Sequence, residues 1–388
     1  MTFDPSAVNL TMLYARAYNL RWAELPRGVI PLTAADPDFS IAPAVKNALQ
    51  SYIDGGYLSY GPAEGFKEFK EAVANNYQLK NQVSYSPENI LPVDSAAFGI
   101  YLVCQALLEP GDEVIVFNPV DFLFKYAVEQ VGGLAIPFDT PQSELRIDFS
   151  GLSALITPKT KMICLCNPLN PTGKVFTQEE LEDLSKIAAE HDLYIMSDEI
   201  WSDIVFAPHR FCAFSSIERT YAKTITVTGY SKSYGLAGLR IGSILCPDDT
   251  IYQKIFLKSL HQSTVHGVNV LGQVAATAAL NDGQAWLGGF LQHLHKMRDL
   301  AIQELNEMPG ISCSSPQGCY LVFPNIENTP YTAEELHRVL LEEAKVAVVP
   351  GMPKWFGAGA QGHIRLSFAT SEEILSEGLS RIKRFLTK

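Results

Sequence analysis

KMICLCNPLNPTGKVFTQEELEDLSKIAAEHDLYIMSDE, residues 161–199, sets four patterns in a row. An apolar run (Lys161–Cys166) meets a turn rich in proline and glycine. A stretch with helical spacing (Gln178–His191) follows, and then a second apolar run (Leu193–Ser197). The same alternation extends in both directions. Ile90–Val93, Glu113–Phe117, Thr224–Thr228 and Gly242–Cys246 read as further strands, with helical stretches at Ala96–Leu108 and Tyr252–His261. Strands alternating with helices argue for an α/β fold, a mostly parallel sheet covered by helices on both faces.

After Asp282 the pattern changes. A long amphipathic stretch runs to about Met308, followed by strands at Cys319–Pro324, Val346–Val349 and Ile364–Ala369 and a final helix. This part reads as a smaller α+β domain joined by the first forty or so residues. The expected division is therefore a large domain over 43–282 and a small one from 1–42 and 283–388. A chain of 388 residues fits one large and one smaller domain, and 47% hydrophobic against 19% charged residues describes a sizeable core.

The formal charge of −12 argues against nucleic acid and anionic membrane surfaces, which select basic patches. The N-terminus has no basic stretch followed by an apolar one, and no apolar run approaches a bilayer span. Seven cysteines form no CxxC pair and no Cys/His cluster with zinc spacing, so no metal is expected. Cys164 and Cys166, two apart in a strand, read as core thiols. The cytoplasm is the expected address.

The chemistry centres on Thr228-Gly-Tyr-Ser-Lys-Ser-Tyr-Gly-Leu-Ala-Gly-Leu-Arg-Ile-Gly242. It follows an apolar strand, and its small residues let a bulky group approach the backbone. Lys232 and Arg240, eight residues apart, put an amine and a guanidinium around one anionic group, and arginine binds phosphate through a rigid fork. The plain alternative is a glycine-rich turn with a solvated lysine.

This segment closely resembles the cofactor-lysine motif of the fold-type I, class I/II aminotransferases, and other motifs of that family follow in order from Tyr57 to Ala369. The resemblance implies a large domain with a seven-stranded sheet, a pyridoxal 5′-phosphate (PLP) cofactor carried on Lys232, and a homodimer. By the same resemblance, Asn170 in Asn167-Pro-Leu-Asn-Pro-Thr-Gly173 bonds the cofactor's 3-oxygen. Asp198 pairs with the pyridine nitrogen and keeps the ring an electron sink. Arg365 in His363-Ile-Arg-Leu-Ser-Phe-Ala369 clamps the substrate's α-carboxylate, with Asn170 beside it. Ser95, the amide of Ala96, Ser231 and Arg240 face the phosphate, and Tyr60 reaches the phosphate of the neighbouring subunit. Among the histidines, His261 and His266 fall where the family lines the neighbour's site. Arg16 and Arg21 fall in a segment that folds over the site.

Gly357-Ala-Gly-Ala-Gln-Gly362 spells a dinucleotide fingerprint, but it precedes a strand instead of following one and opens no helix. It reads as a flexible loop near the substrate, which argues against a nicotinamide dehydrogenase.

Three departures from the family fall beside the cofactor. Where an aromatic residue stacks on the ring, this chain has Asp121, with Phe122 able to stack if the loop shifts by one. Trp201 replaces a tyrosine three residues after Asp198, and Gly229 replaces a serine three before Lys232. Asp121 reads either as a helix cap pointing to solvent or, with Asp94, as the receptor of a cationic substrate side chain.

The stretches Ser197–Val205 and Ala34–Phe39 resemble the cystathionine β-lyase-like branch, some relatives of which cyclise a hydroxylated arginine. Expected functions are therefore elimination or cyclisation on a cationic amino acid, or transamination with a 2-oxo acid. A regulator's non-catalytic domain is disfavoured by the intact Lys232, Asp198, Asn170, Arg240 and Arg365.

Overall fold

The computed structural model describes residues 3–140 and 146–387. Its centre is a sheet of seven strands. They are β1 (Ile90–Val93), β2 (Glu113–Asn118), β3 (Leu134–Asp139), β4 (Thr160–Cys166), β5 (Tyr194–Asp198), β6 (Thr224–Gly229) and β7 (Gly242–Leu245). Their spatial order is β1-β7-β6-β5-β4-β2-β3. Only β7 runs against its neighbours; the other pairings are parallel. The α/β class and the mostly parallel seven-stranded sheet agree with the sequence reading.

Central strands such as β4 and β5 are buried on both faces, which is why they read as nearly continuous apolar runs. Cys164 and Cys166 lie buried in β4, and all seven cysteines are free thiols. The helix Gln178–Glu190 between β4 and β5 starts at a reciprocal cap. Thr177 Oγ1 accepts from the Glu180 amide, and the Glu180 side chain accepts from the Thr177 amide. The strand β3 was not among the sequence expectations. It forms the sheet edge, is half exposed and carries Pro137, which an edge tolerates because one side needs no amide. The helix expected over Tyr252–His261 runs instead over Asp249–Ser259, because Asp248 caps it by accepting from the Ile251 amide.

A smaller antiparallel sheet holds β8 (Leu321–Val322), β9 (Val349–Pro350) and β10 (Ile364–Ser367), with β10 in the middle. The strand expected over Val346–Val349 is split. Val346–Ala347 pairs in parallel with Ile30–Pro31, while Val349 belongs to β9. The N-terminal segment is tied to the C-terminal part again where Ser367 donates to Leu32 O and Asp38 donates to Ala369 O. Among the described residues, no helix is long and apolar enough to cross a membrane.

The parallel strands β2, β4, β5 and β6 all end on one side of the sheet, and their carboxyl ends mark where an open α/β sheet binds ligands. Asn118, Cys166, Asp198 and Gly229 are the residues at those ends.

Candidate active site

Beyond β6 the chain turns into the short helix Ser231–Tyr234, which Gly235 ends in a left-handed conformation. This places Lys232 in the interior. Its Nζ donates to Ala35 O at 2.7 Å and lies 5.4 Å from the centre of the buried Trp201 ring. Burial lowers the pKa of the amine, while Asp36, Asp121 and Asp198 oppose that shift and Arg365 adds to it.

Asp198 closes β5. Its Oδ1 accepts from the Ile200 amide at 3.1 Å, and burial lifts its pKa to about 7, helped by the nearby charge of Asp121. A carboxylate buried with so few donors calls for a cationic or N–H partner. A protonated pyridine nitrogen is such a partner.

Ser95 caps the helix Ala96–Leu107, its Oγ accepting from the Phe98 amide at 3.1 Å. The first amides of that helix are left for an anion. Here β7 approaches so closely that a Cβ on Gly242 would meet the Ala96 nitrogen and Thr228 oxygen at 2.8 Å. Glycine is therefore required at the rim of the anion-binding cup that Ser95, the Ala96 amide and β7 form. Ser231 is partly buried. Arg240 is exposed in a left-handed conformation and has no side-chain partner among the described residues. An anionic group at this helix terminus and a ring reaching Asp198 describe PLP, so the residues present fit that cofactor.

The third cluster joins the two parts of the chain. Asn170 Nδ2 donates to Asp121 Oδ2 at 2.8 Å, while Asn170 Oδ1 accepts from Arg365 Nη1 at 3.1 Å. Arg365 also donates to Thr33 O at 3.3 Å, lies over the Phe356 ring and keeps a buried Nε without a partner among the described residues. Asp121 Oδ2 stands 4.0 Å from Arg365 Nη1. Burial raises the Asp121 pKa, and Arg365, the Leu123 amide, Lys232 and Asn170 hold it back.

The cap pointing to solvent is thus corrected. Asp121 does accept from the Leu123 amide at 3.3 Å, but its carboxylate faces inward to Asn170 and Arg365. Phe122 turns away and packs on Tyr126 and Trp355, each with centroids 5.4 Å apart. Asp94 is exposed, and its charge acts on His261, with no bond to the Asp121 cluster. The pairing of Asp94 with Asp121 is therefore not what the fold builds, because Asp94 precedes the cap at the rim of the cup.

Arg21 is buried and consumed by Asp36 and Asp38, and Arg16 is exposed at a helix end. Neither presents a free guanidinium to the Asp121–Asn170–Arg365 cluster. The glycine-rich loop is pinned. Gly359 donates to Asn118 Oδ1 at 3.0 Å, and a Cβ on Gly357, at φ +84°, would stand 2.2 Å from the same oxygen. Next to it, Val120 and Phe122 donate to the carbonyls of Phe356 and Trp355, with Asp121 donating to Asn170 O between them. Tyr60 is 89% exposed, its ring 5.6 Å from that of His266. His261 is buried with an unpartnered Nδ1 among the described residues.

Three contributors escaped the sequence reading: the carbonyls of Thr33 and Ala35 and the Tyr320 hydroxyl, which donates to Ala35 O at 3.1 Å. Backbone carbonyls leave no signal in residue types, and Tyr320 read only as part of a strand. Among the described residues, no group of three or more His, Cys, Asp or Glu side chains could hold a metal ion.

A family model described as aminotransferase class I and II matches residues 27–382. The aspartate aminotransferase of Pyrococcus abyssi is 32% identical over 364 residues, covering 93% of this chain and 92% of that protein. The crystal structure of an aromatic aminotransferase from Pyrococcus horikoshii superposes with a TM-score of 0.87 at 30% identity, covering 94% of this chain and 97% of that one. Cystalysin from Treponema denticola, whose structure contains PLP, reaches a TM-score of 0.91 over 100% and 99% of the two chains. At 24% identity that likeness is one of fold.

Proposed function

This chain belongs to the class I and II aminotransferases, and from that premise we propose that it moves the amino group of a free α-amino acid to a 2-oxo acid. Its cofactor is pyridoxal 5′-phosphate. When bound, PLP supplies an electron-withdrawing ring that makes a substrate's α-proton acidic. The observation that carries the proposal is the convergence of a partly buried lysine, a buried acid and a buried guanidinium. Lys232 feels the charges of both Asp198 and Arg365.

In this reading Arg365 and Asn170 hold the substrate's α-carboxylate. Lys232, its pKa lowered by burial, takes the α-proton and returns it. Asp198 keeps a proton on the ring nitrogen, and Asn170 bonds the 3-oxygen. Ser95, Ala96, Ser231 and Arg240 hold the phosphate. Tyr60 serves the phosphate of a second copy. The exposed Tyr57, Leu58 and Tyr60 support a homodimer that covers them. The division into a large domain over 43–282 and a small one over 1–42 and 283–388 belongs to the same proposal. So does a cytoplasmic address, supported by seven free thiols.

The test is a half-reaction. Adding an amino acid alone should change the cofactor's absorbance once and stop, and pyruvate or 2-oxoglutarate should restore it. Continuous turnover without a 2-oxo acid would overturn the proposal.

A second reading, elimination or cyclisation on an amino acid with a cationic side chain such as a hydroxylated arginine, is favoured by one observation. The position expected to stack on the ring holds an inward-facing carboxylate, Asp121, with Trp201 nearby instead of a phenol. Product formed from arginine or hydroxyarginine with no acceptor present would establish it.

A further inference from the structure

The carbonyl of Ala35 receives donors from two distant parts of the chain, Lys232 Nζ at 2.7 Å and the Tyr320 hydroxyl at 3.1 Å. Tyr320 is wholly buried. Trp201 packs edge-on against its ring at 4.7 Å and lies 5.4 Å from the lysine amine. The three side chains therefore fix one another around a single oxygen. A carbonyl oxygen has two lone pairs, and here both are taken. An oxygen polarised toward one donor is a poorer acceptor for the other. Two residues earlier on the same segment, Thr33 O accepts from Arg365.

We propose that Tyr320 is a positioning residue for Lys232, acting through the Ala35 carbonyl, which it aims at the amine and whose grip on the amine it limits. The proposal rests on the reading of Lys232 as the proton-carrying group. Lys232 also feels Asp36, Asp121, Asp198 and Arg365, and Tyr320 feels Asp36, Arg21, Cys319 and Arg365. Substituting Tyr320→Phe leaves all of these in place and removes the hydroxyl alone. Burial holds the phenol's pKa well above its ordinary value, so Tyr320 stays a donor through the working pH range.

Without the hydroxyl, Ala35 O binds the protonated amine more tightly and the Lys232 pKa rises. A rise of about half a unit to one unit cuts the neutral amine roughly three- to ten-fold at any pH below it. Two measurements on the full-length protein test this. The first is the pH dependence of competitive amine labelling at Lys232, read by mass spectrometry on cofactor-free protein. The second is the pH profile of kcat for the holoenzyme on an amino acid that it accepts.

In Tyr320→Phe the labelling pKa and the acid limb of kcat should both move up. KM should stay within about two-fold, because the contacts of Arg365 are unchanged. If neither moves while the melting temperature falls, Tyr320 only fills space and the proposal is overturned. If labelling moves and the kcat limb does not, the role of Tyr320 stands, and Lys232 is not the group whose protonation limits turnover. Should Tyr320→Phe fail to fold, 3-fluorotyrosine at position 320 provides a stronger donor. It should shift both readouts to lower pH, and no shift would overturn the proposal.

Discussion

Replacing Asp121 by asparagine removes a negative charge beside Arg365 and keeps the size of the side chain and an oxygen for the Leu123 amide. It gives up the bond from Asn170 Nδ2, which then faces an NH2. The carboxylate lies 4.0 Å from Nη1 of Arg365 and is only 17% exposed. Unit charges at that separation interact by about 4 kcal/mol at an effective dielectric near 20. A substrate carboxylate seated on Arg365 must share that guanidinium with Asp121 and stands at a similar distance from it, so the repulsion is of the same order. With a third to a half surviving relaxation and screening, Asp121→Asn should tighten carboxylate binding by about 1.3–2 kcal/mol, roughly ten- to thirty-fold. The assay is steady-state kinetics on norleucine and lysine, near-isosteres that differ in charge. KM for norleucine should fall by that factor with kcat little changed. The lysine gain should be smaller, because its ammonium loses a counter-charge. The parent should show the norleucine gain as pH falls and Asp121 protonates, and the variant should not. A norleucine KM that is unchanged or higher in the variant would refute the reasoning.

Other predictions concern the cup and the buried acids. Burial raises Asp198 from 3.8 to about 7, so the folded chain binds more protons than the unfolded one between those values, and this group's contribution to stability falls as pH rises through that window. Thermal melts of cofactor-free protein should show Asp198→Asn removing up to about 4 kcal/mol of that loss, and added PLP should remove it in the parent; parallel curves would contradict this. Gly242→Ala should abolish cofactor retention on gel filtration, since its Cβ would lie 2.8 Å from backbone atoms of the cup. Gly229→Ser should fold, because a Cβ there meets only Ile200 and Ala96 at ordinary contact distances. Its hydroxyl should improve PLP affinity by about ten-fold in equilibrium dialysis, as a hydrogen bond to a charged group would.

How much was legible in the sequence depended on how each feature is encoded. Buried central strands announce themselves as apolar runs, and Lys232, Asn170, Asp198, Arg240 and Arg365 lie within compact motifs. The edge strand β3 was hidden because half its residues face solvent and one is proline. The direction of Asp121 was also hidden. A residue that caps the Leu123 amide with one oxygen also meets Asn170 with the other, and residue type alone does not say that such a cap faces inward. Asp94 looked equivalent on paper, yet a helix start turns it outward. The Ala35 ledge had no residue-type signal at all, since its chemistry is that of the backbone.

The amides of Val120 and Phe122, bonded to the carbonyls of Phe356 and Trp355, bracket Asp121 like two clasps. Any outward swing of the 353–360 loop must open both at once. Deuterium uptake at those two amides is therefore a clock for how often the site stands ajar, and it runs without any substrate. Because main-chain atoms make both clasps, residue 121 can be exchanged without loosening them. The protein holds the Asp121 backbone in a mount built from main-chain atoms, so the position of residue 121 is set apart from the chemistry of its side chain.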